Sequence, residues 1–468
     1  MAGTENSELV KRIAKLVKQN QELEDQLKKL EKSNEKLSGE IEKLKTAGEK
    51  AAEKPGDSEP REKSLKFNMA TVLFADIHGF SRLVESMDSS AVMDELDEIL
   101  YEFDAIVARY RIEKIKTIGD TYMCAGGIPV KNITNPVDVV MAAMEMRNYL
   151  ENYELKKRGK ENRIWELKIG IHTGPVTATI SGKKKTSYDI KGDTVNTASR
   201  VEAVCENGTI LLSVMTYELV KEFFDCEYSG KLPVKYKGDL QMYRLKGLKA
   251  EFSAEGKGVL PNEAFNIKFG LIQFTDIQEI ILDQLEKELP DYLFYHNVKH
   301  TVDVVTEVEL IGWAEGCSDE EILILKTAGL FHDVGHTVAY DNHEFHGTVI
   351  AREMLPKYKY TPEQIDRICD IIMATKLPPR PKNLLENIIC DSDLDYLGRS
   401  DFIPVSNTLY EELKAQNKMG SLNDWNKLQV KFISGHQYFT ETARSLREVN
   451  KQLQIERIQN LITDPPTP

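Results

Sequence analysis

Apolar positions change period along the chain, and each change marks a different kind of element. From Leu9 to Leu44 they advance in alternating steps of four and three, through Ile13, Leu16, Asn20, Leu23, Leu27, Leu30, Asn34, Leu37 and Ile41. Leu holds every d position of this heptad, and the a positions read Ile, Asn, Leu, Asn, Ile. That choice favours two parallel strands, each Asn fixing register at a cost in stability. Residues 7–46 are therefore predicted to form a parallel dimeric coiled coil. The charged stretch 47–66, broken by Gly48, Pro55, Gly56 and Pro60, reads as a linker.

Beyond it the period shortens. Residues 69–75 form a strand-like run, a helical pattern reaches Tyr110, and residues 113–123 read as a β-hairpin broken at Gly119. A second helix spans 137–149, a strand 167–172, and a further helix begins near Asp193. The order βαββαβ predicts a ferredoxin-like α+β sandwich over residues 67–249. Residues 250–262 read as a second linker. From 263 to 463 Leu and Ile recur at helical spacing with almost no alternation, which predicts an all-α domain.

Composition narrows what such a multidomain chain does. At 468 residues it exceeds a single core. A net charge of −14 argues against bulk attraction to nucleic acid or anionic lipid, so any phosphate site is built locally. The six cysteines lack metal or redox spacing and read as reduced thiols. No signal peptide is evident, and no apolar run approaches the ~18 residues of a membrane span. The expectation is a cytoplasmic protein that neither binds nucleic acid nor spans a membrane.

Candidate chemistry begins at Asp76, a carboxylate at a strand end before a Gly turn, suited to metal or phosphate but equally to helix capping. Lys116 and Asp120 lie four apart on the hairpin, and even spacing sends both to one face unless the Gly119 break intervenes. Asn196 and Arg200 share a helix face. Each feature alone has an ordinary structural reading. Together, Phe74-Ala-Asp76-Ile-His-Gly-Phe-Ser81, Lys116-Thr-Ile-Gly-Asp120, Tyr188-Asp189 through Asn196 to Arg200, and Val234-Lys235-Tyr-Lys-Gly238 resemble the class III nucleotidyl cyclases, in that family's order and spacing. Ser81 for the usual Thr, and Thr179 for a frequent Gly, depart from the pattern.

The resemblance implies two divalent ions, Mg²⁺ or Mn²⁺, held by Asp76 and Asp120 with the Ile77 carbonyl as a further ligand. It implies that Arg200 and Lys235 stabilise charge on the phosphates and that Asn196 orients the ribose. It also implies a homodimer with sites shared between subunits, a symmetry the coiled coil suits. Lys116 and Asp189 fall at the family's base-reading positions. A Lys donor and an Asp acceptor match N1 and the 6-amino group of adenine and mismatch guanine, so ATP and cyclic AMP are the expected substrate and product.

Six of the nine histidines fall between 296 and 346. Clustered His and Asp on helices suit a metal, and four-residue spacing puts pairs on one face. Tyr295-His296-Asn-Val-Lys-His300, His332-Asp333-Val-Gly-His336, His343 and the acidic run at Asp391 and Asp393 resemble the HD-superfamily phosphohydrolases, and the first two the cyclic-nucleotide phosphodiesterases among them. The resemblance implies that His300, His332, Asp333 and Asp393 hold a divalent ion (Mn²⁺, Mg²⁺, Zn²⁺ or Fe²⁺), with Asp391 the alternative to Asp393. His336 and His343 serve a second ion or the phosphate, His296 protonates the leaving oxygen, and Gln429 with Phe432 clamps a purine. The expected protein makes cyclic AMP and hydrolyses it or a related phosphoester. Two alternatives are a regulatory, non-catalytic HD domain and an inactive coiled-coil scaffold.

Overall fold

The computed structural model describes residues 64–78, 89–158, 165–181, 187–234 and 238–463. Contacts divide the chain into residues 1–63 and 64–468, and only the second unit is described below. The expected coiled coil, most of the first linker and Lys235 lie outside the described residues.

The second unit opens on β1 (Ser64–His78), which begins inside the stretch expected to be linker. After it come α1 (Ser89–Arg109), β2 (Glu113–Ile118), β3 (Thr121–Gly126), α2 (Asn135–Arg158), β4 (Glu166–Ser181) and β5 (Ser187–Lys191). Then follow α3 (Asp193–Ala203), β6 (Ile210–Ser213), α4 (Val214–Val220), β7 (Phe224–Val234) and β8 (Gly238–Leu248). The strands form one sheet in the order β2-β3-β1-β4-β6-β8-β7, with β5 paired to β4. Its first half, with α1 and α2, is the predicted βαββαβ unit. β1 is buried on both sides, which explains its almost unbroken apolar run. Strand alternation sends Leu73, Ala75 and Ile77 into the core under α1 and α2, and Val72 and Phe74 into a second cluster with Ile190 and Ala198. Asp76 inherits the second face, the side of α3.

Residues 250–262 are not a free linker. Two short 3₁₀ turns (Ala250–Phe252 and Ala254–Gly256) fold back, Ser253 bridges to Pro261, and the Phe252 ring lies 5.3 Å from that of Phe223. The Asn262 side chain then caps α5 (Glu263–Glu288), accepting from Phe265 N at 3.0 Å. Phe265 and Phe269 complete the core of the sheet domain, whereas Phe274, Ile277, Ile281 and Leu285 enter that of the helical domain. The passage from one core to the other, expected at 263, thus falls between Phe269 and Phe274, inside a continuous helix. The helical domain continues with α6 (Val298–Ala314), α7 (Asp319–Phe331), α8 (His343–Met354), α9 (Pro362–Ala374) and α10 (Leu384–Asp393). It ends with α11 (Phe402–Ala415), α12 (Leu422–Gly435) and α13 (Glu441–Gln459).

A buried polar seam joins the two domains across α5. Asp276 accepts from Ile133 N at 2.7 Å and Thr134 Oγ1 at 3.1 Å. The Gln273 amide, oriented to satisfy both neighbours, donates to Tyr358 O and accepts from Arg111 Nη2, each at 2.8 Å. Asp138 sits in this seam, only 3% of its side chain exposed, with Arg111 Nη2 3.9 Å away. Burial outweighs the nearby Lys359 and Arg111 charges and pushes its carboxyl up to about 6. A carboxyl whose folded value lies above its unfolded value of about 3.9 binds a proton more readily when folded, so the stability it contributes below pH ~4 is lost as pH rises through about 6. Asp138→Asn, which mimics the protonated form, should therefore raise the melting temperature at pH 8 and much less at pH 5. About two units of displacement correspond to roughly 3 kcal/mol at most. A gain of equal size at both pH values in thermal unfolding would contradict this account.

Candidate active sites

The first site lies where β1 ends beside the β2–β3 turn. Gly119 (φ +63°) makes that turn in a conformation few other residues adopt, and it swings Asp120 towards β1. Ile77 N donates to Asp120 O at 3.1 Å, and Thr121 Oγ1 donates to Asp76 Oδ1 at 3.2 Å. Ligand atoms of Asp76, His78 and Asp120 all lie within 4.8 Å of one another, His78 Nε2 being 2.8 Å from Asp76 Oδ2. Two carboxylates so close repel one another unless a proton or a cation lies between them, and hard divalent ions suit that donor set. The Ile77 side chain is buried in the core, so only its backbone faces the pair.

Lys116 goes elsewhere. Its Nζ lies 3.0 Å from Asp189 Oδ1 on β5, both side chains being well exposed, so the turn separates Lys116 from Asp120. On α3, Thr194, Thr197, Ala198 and Val201 are buried, which leaves Asn196 and Arg200 exposed on the outer face. No polar contact joins either to Asp76 or Asp120 among the described residues. Glu202, on the inner side of the same helix, was not anticipated. Burial, then the charges of Asp76 and Asp120, push its carboxyl up to about 7, so it feels the field of the two aspartates. Its only signal in sequence is its place two residues after Arg200, too weak to single it out.

The second site is built in the helical domain from four helix ends. Asn297 caps α6 through Lys299 N and His300 N, which fixes His300 in the first turn. His332 and Asp333 follow α7, and Asp393 closes α10. His300 Nε2 lies 3.1 Å from Asp393 Oδ1, 3.4 Å from Asp333 Oδ2 and 3.3 Å from His332 Nε2. His332 Nε2 is 3.1 Å from Asp333 Oδ2, and its Nδ1 is 2.8 Å from Gly329 O. With Nδ1–H donated to that carbonyl, Nε2 turns a lone pair towards the carboxylates. Four such converging atoms suit a divalent cation or, without one, protons shared between the imidazoles and the acids. Against the cost of burial, Asp333 and the other acid raise His332 well above its usual range. Against the same cost, His300 and His332 hold Asp393 far below the carboxylate range.

Asp333 also turns its second oxygen to another pair. His343 Nε2 lies 3.5 Å and His336 Nε2 3.8 Å from Oδ1, and the two rings stack at 3.9 Å. Gly335 makes this possible, since a Cβ there would meet His343 O at 1.9 Å. Both His336 nitrogens are buried without partners, and burial pushes the ring down to about 3, a neutral state suited to ligation. Asp333 thus offers one carboxylate oxygen to each imidazole pair, and with them would hold divalent metal.

Asp391 is corrected by the structure. Its carboxylate accepts from Phe439 N, Thr440 N and Thr440 Oγ1 at 2.7–2.9 Å, tying α10 to the start of α13 and away from the cluster. Asp393 alone of the two acids reaches it. His296 is held by a residue that sequence reasoning missed, Glu412 of α11. The Glu412 carboxylate lies 2.5 Å from His296 Nδ1 and accepts from Tyr295 N and His296 N. Burial opposes the charged ring, but the Glu412 hydrogen bond and nearby acids outweigh it and raise His296 above its usual value. The cluster opens into a pocket of about 550 Å³. Leu394, Leu409, Leu413 and Trp425 form its apolar end with Phe432 and the buried Gln429, whose Oε1 has no partner.

Comparisons with known proteins match both domains. Residues 62–247 match the family model "Adenylate and Guanylate cyclase catalytic domain", and residues 297–396 the model "HD domain". A receptor-type guanylate cyclase, gcy-8 of Caenorhabditis elegans, is 34% identical over 198 residues, 42% of this chain and 17% of that protein. An adenylate cyclase of Mycobacterium bovis is 33% identical over 214 residues, 46% of this chain and 47% of that protein. The guanylate cyclase domain of RhGC from Catenaria anguillulae, solved with GTP, is 30% identical across 40% of this chain and all of that domain, with a TM-score of 0.36. The chain spans less than half the length of the curated relatives it matches. No helix among the described residues is long and apolar enough to cross a membrane. Both kinds of domain depend on divalent metal. The chain therefore carries a class III adenylate/guanylate cyclase catalytic domain over residues 62–247 and, behind it, an HD domain over residues 297–396.

Proposed function

We propose that this chain, as a homodimer, converts ATP to cyclic AMP and pyrophosphate, and that its HD domain hydrolyses a phosphodiester, most directly the same cyclic nucleotide. One observation carries the choice of ATP: Lys116 Nζ of β2 and Asp189 Oδ1 of β5 stand 3.0 Å apart. An ammonium and a carboxylate side by side offer adenine a donor for N1 and an acceptor for its 6-amino group. Guanine, with a donor at N1 and a carbonyl at C6, meets a like group at each position. The equal closeness of guanylate cyclases among the relatives makes GTP the competing substrate.

Asp76 and Asp120, with His78 and Glu202 at hand, supply the acidic cradle for divalent ions, which when bound would acidify the ribose 3′-hydroxyl and neutralise the departing pyrophosphate. Arg200, Asn196 and Lys235 of the second subunit would bind the phosphates and orient the ribose. In the HD domain, the Asp333-centred cluster suits two ions. His296, held protonated by Glu412, is poised to donate to a leaving 3′-oxygen. Gln429 and Phe432 suit a nucleobase edge and face at the apolar end of the pocket.

The test is turnover of full-length protein with ATP or GTP and Mg²⁺ or Mn²⁺, following cyclic nucleotide and its hydrolysis with time. Lys116→Glu with Asp189→Cys should lower the ATP-to-GTP ratio of kcat/KM at least about 100-fold, the cost of mispairing two hydrogen-bonding groups that a bound base would cover. An unchanged ratio would remove the adenine assignment. Accumulation of cyclic AMP without any decay would assign the HD domain a regulatory role.

A further inference from the structure

We propose that Lys376 is the anion-binding residue of the HD pocket, taking a non-bridging oxygen of a phosphoryl group held at the His/Asp cluster; this rests on the phosphoester reading above. The pocket is lined by four acids, Asp333, Asp341, Glu344 and Asp393, and among its lining residues Lys376 is the sole lysine or arginine. A phosphoester entering such a pocket meets repulsion wherever metal charge does not reach, so an ammonium at the wall has a large local effect.

The fold holds that ammonium in reserve. Thr375, the C-cap of α9, is buried and donates through Oγ1 to Ile372 O at 2.8 Å, which anchors the backbone from which Lys376 projects. Lys376 Nζ donates to Asn342 Oδ1 at 3.2 Å, its only polar contact among the described residues. It makes no ion pair there, although acids flank the site. Asp341 is engaged by Lys418 at 3.5 Å, and Glu344 lies 3.7 Å from His343. Asn342 itself is left-handed (φ +57°) and immediately precedes His343, so the ammonium rests one residue from the second imidazole pair. A neutral amide is a weak partner for a lysine, and a charged phosphoryl oxygen displaces it readily. Lys376 would thus favour the dianionic phosphomonoester, or charge building on equatorial oxygens, over an uncharged ligand of the same shape.

Binding to the metal-loaded full-length protein tests this without relying on turnover. Inorganic phosphate, AMP and uncharged adenosine would be titrated calorimetrically into wild type, Lys376→Met and Lys376→Arg, with metal content measured in each. The expected result is a loss of about 10- to 100-fold in phosphate and AMP affinity for Lys376→Met, the range for a charged hydrogen bond. Adenosine binding and metal content should stay unchanged, and Lys376→Arg should recover most of the loss. Equal phosphate and AMP affinity in wild type and Lys376→Met overturns the role of Lys376 while leaving the phosphoester reading intact. No phosphate or AMP binding to wild type overturns both. A matching loss of adenosine affinity in Lys376→Met would show general damage to the pocket and also overturn the assignment.

Discussion

Mixed dimers of Asp76→Ala and Asn196→Ala chains should regain activity that neither variant shows alone. Asp76 is tied into its own subunit by Thr121 and stands beside Asp120, so its removal empties the metal cradle. Asn196 and Arg200 lie on the exposed face of α3, with no polar contact to that cradle among the described residues. In the proposed homodimer they would act on a substrate held by the other copy. Each homodimer should lose about 10³-fold or more in cyclase turnover, the scale seen when groups stabilising transition-state charge are removed. In a heterodimer, one site carries both lesions and the other carries none. Each purified heterodimer thus keeps one working site of two, so about half of wild-type activity per dimer should return. Co-expressed, differently tagged chains purified through both tags provide the measurement. Mixed dimers as inactive as either parent would place all the catalytic groups of a site in one subunit.

Asp333→Ala should abolish both metal binding and hydrolysis in the HD domain, whereas Asp391→Asn should leave both in place. Asp333 turns Oδ2 to His300 and His332 and Oδ1 to His336 and His343, so one truncation removes a ligand from each ion. Hydrolysis should fall about 10³-fold or more, with metal content near zero by elemental analysis. Asp391 spends its carboxylate on three donors of residues 439–440. Its replacement by Asn turns an amide N–H₂ towards those donors and should cost roughly 1–3 kcal/mol of stability, read as a lower melting temperature. Loss of metal from Asp391→Asn at an unchanged melting temperature would reverse the assignment of the two acids.

These paired acids show how far sequence reaches. Asp391 and Asp393 sit two apart in one short run, and both are plausible ligands by type and spacing. What separates them is the approach of residues 439–440, nearly fifty positions away. Glu412 was invisible for the same reason. It is 116 residues from His296 and carries no motif, and only the packing of α11 against the start of α6 makes it the partner of that imidazole. Residues 250–262 read as a linker because Gly and Pro breaks report local turns, not the β-bridge between Ser253 and Pro261 or the seat of Phe252 on Phe223. Lys116 and Asp120 fared better. Their proximity was legible, and the Gly119 turn decided that they face different neighbours.

The sequence by itself determined most elements of the described residues and named the groups that the proposed chemistry would use. Period-two and period-3.6 patterns record which residues face a core, and the Asp, Asn, Arg, Lys and His motifs record which groups a phosphate reaction needs. Only the tertiary structure decided which groups meet: Glu202 at the aspartate pair, Asp333 between two imidazole pairs, Lys376 at the pocket wall, and α5 threading two cores. The reason is physical. Residue type and spacing fix what a side chain is able to do within a turn or two of its own backbone. Its partners, and with them its charge state and its role, come from chain segments that fold against it from far away.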